Sequence, residues 1–134
     1  MSKELRLVIQ DYCLLNRIPF DKQITATEQE RNPKTGNYIF LIGGAGLIPK
    51  RYEQERIDLT PYSENKSLHL TGTNGVLDPN MLNKIGLASW FNRQTNLNML
   101  PSDIGQFLIK DDTVVVVGSS NSMRFKHSFS MRYK

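Results

Sequence analysis

The last twelve residues, Met123 to Lys134, constrain the fold more than any other stretch. Met123, Phe125, His127, Phe129, Met131 and Tyr133 share one parity, and Arg124, Lys126, Ser128, Ser130, Arg132 and Lys134 share the other. Successive side chains of a strand point to opposite faces, so this alternation predicts a strand with an apolar inner face and a basic outer one. At about 3.3 Å per residue it would run on the order of 40 Å, against a usual strand of about 5 to 6 residues. His127 lies on the apolar parity and is expected to pack in the core rather than act as a general base.

The rest of the chain supplies partners for such a strand. Ser2 reads as the N-cap of a helix running to about Asn16, with Glu4 in its first turn and Leu5, Val8, Ile9, Tyr12, Cys13 and Leu15 on its inner face. Leu7 and Leu14, seven residues apart, fall on the opposite side, either as two tolerated surface leucines or as a subunit contact. Ile18-Pro19 ends the helix, and Thr25 to Gly36 reads as a polar loop.

Tyr38 to Ile42 is a short β-branched and aromatic run between glycines, hence a buried strand. After a turn at Gly43 to Gly46, Arg51 to Thr60 reads as the second strand of a long hairpin. That strand starts in solvent at Arg51, Glu53 and Glu55 and finishes over the core at Ile57 and Leu59. Residues 63–77 are a connection. Asp78 caps a second helix with Pro79 at its first position and Met81, Leu82, Ile85 and Ala88 inward. Leu87, Trp90 and Phe91 lie around its side, so the helix either stops near Ser89 or meets something on a second face. Residues 97–105 read as irregular, Val114 to Val117 as a strand covered on both faces, and Gly118 to Ser122 as a turn. The expected fold is therefore α+β, a mainly antiparallel four-stranded sheet covered by two helices in the order α-β-β-α-β-β, in a single domain over residues 1–134.

Several functional classes lack their signatures. In 134 residues that are 39% hydrophobic and 22% charged, the apolar runs fall far short of the roughly 20 residues of a membrane-spanning helix. The first residues show no secretory pattern, so a cytoplasmic origin is expected. One cysteine, Cys13, with His69 and His127, leaves no disulfide and too few ligands for zinc, and no metal or cofactor is expected. Gly43-Gly44-Ala45-Gly46 lacks the Gly-Lys-Ser/Thr of a phosphate-binding loop, Gly118-Ser119-Ser120 is no nucleophile elbow, and Asp111-Asp112 reads as a solvated turn. Acid, base and nucleophile do not cluster, so no enzymatic activity is expected.

The net charge is +4, and residues 113–134 hold Arg124, Lys126, Arg132 and Lys134 with no acidic residue. Such a patch suits phosphates or an acidic protein surface, for instance the Glu53 and Glu55 strand of a neighbouring copy. The aromatics of the last strand point away from the cations, which speaks against base stacking on that face.

The opening helix, the Tyr38–Thr60 hairpin, the Asp78 helix and the closing strand that ends Phe129-Ser130-Met131-Arg132-Tyr133 resemble, in order and length, the phage tail-terminator and neck proteins. The likeness spans nearly the whole chain and carries no diagnostic motif. It implies a structural virion assembly protein that forms a homo-oligomeric ring, a hexamer in that family, ending the tail tube and joining it to the head connector. Its partners would be copies of itself, the tail-tube protein and the connector protein, first in the host cytoplasm and then in the virion, with no membrane partner. The candidate interface comprises Leu7, Leu14, Glu53, Glu55, Trp90, Arg124, Lys126, Arg132 and Lys134. The alternative is a small basic nucleic-acid-binding accessory protein.

Overall fold

Ser2 opens the first helix, α1 (Lys3–Asn16), by accepting the Leu5 N–H on its hydroxyl at 3.1 Å. Arg17 closes it in the left-handed region (φ 56°), its backbone N–H reaching the Leu14 carbonyl at 3.4 Å and the Ile18 N–H the Cys13 carbonyl at 2.9 Å. The computed structural model describes residues 2–64, 80 and 82–132. The chain divides into two compact units, Met1–Arg56 and Ile57–Lys134.

In the first unit α1 lies on an antiparallel sheet of order β1-β2-β3, formed by β1 (Thr25–Arg31), β2 (Tyr38–Gly44) and β3 (Leu47–Glu53). Val8, Ile9, Tyr12 and Cys13 are the buried residues of α1. Tyr12 meets Tyr52 of β3 edge to face at 5.0 Å, and Gln54 donates to the Asp11 carboxylate at 3.0 Å. The hairpin turn expected at Gly43 to Gly46 is present. Gly44 is required there: its φ is +85°, and a Cβ would sit 2.3 Å from the Gln23 carbonyl oxygen.

Two expectations for this unit are corrected. Residues 25–31 form a strand, not a loop; every β1 side chain except the half-buried Ala26 is exposed, so no apolar alternation marks the strand, and pairing with β2 alone defines it. The Arg51–Thr60 strand is displaced, since β3 begins at Leu47 and ends at Glu53.

The second unit holds α2 (Lys84–Thr95), a parallel two-residue pairing of β4 (Ile57–Asp58) with β7 (Phe125–Lys126), and an antiparallel sheet of order β5-β6-β8. These strands are β5 (Ile104–Lys110), β6 (Thr113–Gly118) and β8 (Ser128–Arg132). Leu87, Ala88, Trp90 and Phe91 of α2 form one core with Val114, Val116, Phe125, Phe129 and Met131. The Phe91 ring lies 5.2 Å from that of Phe129 and 6.0 Å from that of Phe125.

The expected four-stranded sheet under two helices is thus overturned: the described residues form eight strands in three small sheets of three, two and three strands. The reason lies in long-range pairing. Ile57 and Leu59 give their N–H groups to the carbonyls of Arg124 and Lys126 at 2.7 and 3.0 Å, which takes this segment out of the first hairpin. The long terminal strand is broken at His127, whose φ is 68°; its ring is exposed, where a core position was expected. Tyr133 and Lys134 lie outside the described residues, as do Asp78, Pro79 and Met81 of the expected second-helix start. Within them, α2 is capped by Asn83, which accepts the Gly86 N–H at 2.7 Å, and Ile85 is 71% exposed instead of buried. The segment read as irregular, 97–105, runs into β5, which returns through the Asp111–Asp112 turn.

Candidate assembly surface

Where α1 ends, the left-handed Arg17 turns the chain back so that Ile18, Pro19 and Phe20 run beside the helix. Between them lies an open groove of about 590 Å³ whose walls include Cys13, Leu14, Arg17, Ile18, Pro19 and Phe20. Of the lining residues Leu14 is 80% exposed and Phe20 45%. Leu7 is half-buried, so the two leucines singled out from the heptad spacing differ: only Leu14 stands free in solvent. Leu15, expected on the inner face of the helix, is 72% exposed instead. Burial raises the pKa of the Cys13 thiol, which lowers its thiolate fraction.

The charged candidates differ in exposure. Arg124 is 4% exposed; its guanidinium donates to the Asn98 carbonyl at 3.0 Å and lies 5.3 Å from the centre of the Phe125 ring. Trp90 is 3% exposed within the core of its unit. Both are thereby removed from any docking face, since a buried side chain has no area to offer a partner. Lys126 is half-buried, Arg132 exposed, and Lys134 outside the described residues. The sequence alternation misplaced Arg124 because the backbone breaks at His127 and the residues before it pair with β4, not with the sheet that holds β8.

Glu53 is an internal anchor. Its carboxylate accepts from Asn37 at 2.9 Å, Asn32 at 3.0 Å and Thr35 at 3.3 Å, tying the β1–β2 loop to β3. The Asn37 bond first, then the Asn32 bond, lowers its pKa. Arg56 completes the loop, donating to the Asn37 side chain at 3.1 Å and to the Thr35 carbonyl at 2.7 Å. Glu55, beyond β3, is exposed. Glu30 and Arg51 form an ion pair across the same sheet.

Two constellations escaped the sequence reading. His127 Nδ1 lies 3.0 Å from the Asp58 carboxylate, both groups being largely exposed. The Thr60 backbone N–H, at 2.9 Å, is the main cause that holds the Asp58 pKa down to about 2, with the Thr60 hydroxyl and then His127 adding to it. Among the described residues Asp58 is the one hydrogen-bond partner of the His127 imidazole, so the pair ties β4 to the β7–β8 junction. The second is a buried knot in which Asp103, fully buried, accepts the Ser122 hydroxyl at 2.7 Å and the Leu100 N–H at 2.8 Å. His127 is 69 residues from Asp58 and Ser122 is 19 from Asp103, so no local pattern signals either pairing.

Among the described residues no group of three His, Cys, Asp or Glu side chains is placed to hold a metal ion, and no helix is long and apolar enough to cross a membrane. Comparison with protein-family models, with curated proteins and with solved structures finds no match.

Proposed function

We propose that the chain is a structural subunit that assembles with copies of itself into a ring, the role implied by the resemblance of its sequence to the phage tail-terminator and neck proteins. In that role six copies would end the tail tube and join it to the head connector, acting in the host cytoplasm and then in the virion. The observation that carries the reading is the exposed apolar groove at the end of α1, which Leu14 and Phe20 line, with the exposed Leu15 next to Leu14 in the helix. Contiguous exposed apolar surface marks sites of association rather than solvent-facing structure. Ile48, 82% exposed on β3 next to the hairpin turn, adds a second apolar projection on the same unit.

The test is molar mass by light scattering over a wide concentration range, with and without tail tubes, for the wild type and Leu14→Lys. Assembly into a ring that Leu14→Lys weakens at least tenfold supports the reading. A wild-type monomer at every concentration that also forms no ring on tubes refutes it.

A further inference from the structure

Resting on that reading for the identity of the partner, we propose that the outer edge of β5 is a strand-addition site that pairs antiparallel with β5 of a second copy about a twofold axis. An unpaired strand edge is a template for another chain, and folds normally blunt it with proline, charges, bulges, short length or a covering loop. Each other strand edge in the two three-stranded sheets carries such a device. β1 has a bulge between Glu28 and Glu30 and carries Glu28, Glu30 and Arg31. β3 has Pro49, Lys50 and Arg51 in succession. The edge of β8 is occupied, because the Ser130 N–H is taken by the Ser63 hydroxyl at 2.9 Å.

β5 differs. From Gln106 to Ile109 it contains no charge and no proline, and Leu108 and Ile109 are 54% and 50% exposed. Its one bulge, between Ile104 and Gln106, lies at the start and leaves residues 106–110 in regular register with β6.

The ladder settles which groups face outward. Lys110 stands opposite Thr113 across the two-residue turn, so Lys110, Leu108 and Gln106 direct their N–H and C=O groups to β6. Phe107 and Ile109 then turn theirs away from the sheet. The same alternation, carried through β6, puts the Gly118 N–H on the far side, where it meets the His127 carbonyl at 2.8 Å.

A twofold axis through Leu108 places Phe107 opposite Ile109 of the second copy, and Ile109 opposite its Phe107, as hydrogen-bonded pairs. Leu108 then faces Leu108 across the axis, and Gln106 faces Lys110. Charge selects this arrangement: Lys110 is the one charged residue of β5, and antiparallel pairing holds the two copies of it about 14 Å apart at about 3.4 Å per residue. That exceeds the Debye length of about 8 Å at physiological salt, whereas parallel pairing would stack them. A twofold contact closes at two copies, so it joins pairs and is separate from the contacts that close a ring.

Sedimentation equilibrium of the full chain, with amide hydrogen exchange on the same samples, tests this. The expected result is self-association in which the Phe107 and Ile109 amides gain protection with concentration, and at least tenfold weaker twofold association in Leu108→Lys, which sets like charges against each other on the axis. Hydrogen exchange on the wild type decides the matter should that variant unfold. A ring that leaves the Phe107 and Ile109 amides unprotected overturns the β5 contact and leaves the ring reading standing. A dimer sensitive to Leu108→Lys that forms no larger ring even when tail tubes are added supports the contact and overturns the ring. A wild-type monomer throughout overturns the contact.

Discussion

Replacing Asp103 with alanine removes both acceptors of the buried knot at once. The Ser122 hydroxyl loses its bond at 2.7 Å and the Leu100 N–H its bond at 2.8 Å, in a site where Asp103 itself is fully buried. Each donor left unsatisfied costs about 1–3 kcal/mol. Leu100 is half-buried, and water can reach part of its loss, so about 3 kcal/mol is expected for the pair. With a urea dependence of about 1–3 kcal/mol per molar, the midpoint should fall by about 1–3 M. The single tryptophan, Trp90, is buried in the same unit, so its fluorescence reports this transition directly. Asp103→Asn keeps one acceptor and should lose about half as much. Because Ser122 and Asp103 share a bond, the double variant Asp103→Ala with Ser122→Ala should cost less than the sum of the singles. A loss below about 1 kcal/mol in Asp103→Ala would refute the reasoning that these two buried hydrogen bonds stabilise the unit.

Other outcomes follow from the same geometry. The Asp58 carboxyl, held down to about 2 chiefly by the Thr60 N–H, stabilises the fold fully above its ordinary value of 3.8, and that contribution is lost as pH falls from about 4 to about 2; Asp58→Asn should flatten this limb of a midpoint-against-pH curve. Gly44→Ala forces a Cβ against the Gln23 carbonyl at positive φ, whereas Gly46→Ala meets nothing within 4 Å; thermal unfolding should show a loss of about 1 kcal/mol for Gly46→Ala and a clearly larger one for Gly44→Ala. Phe91→Ala empties a fully buried position touched by Tyr62, Phe125 and Phe129 and should cost about 3–5 kcal/mol in urea titration. Glu53→Ala should leave the core intact and speed hydrogen exchange at the Gly36 and Asn37 amides, because the carboxylate holds three side chains of that loop.

The sequence by itself determined the elements whose signals are local. Ser2 caps α1, and the helix ends at Asn16 as its pattern requires; β2, the turn at Gly44 to Gly46, β6 and the Asp111–Asp112 turn all lie where propensity and glycine chemistry put them. What joins these elements was decided only by the tertiary structure. β1 carries no apolar alternation, since its side chains face water, and it is a strand because β2 pairs with it. Ile57 and Asp58 leave the hairpin for Phe125 and Lys126, 68 residues further along, and that parallel pairing is followed by the break at His127 and accompanied by the burial of Arg124. Periodicity records which face a side chain prefers when a strand is continuous; it holds no record of which distant backbone will accept its hydrogen bonds. The edge of β5, open among the described residues, has the same origin, for an edge exists only once every other strand has found its neighbour.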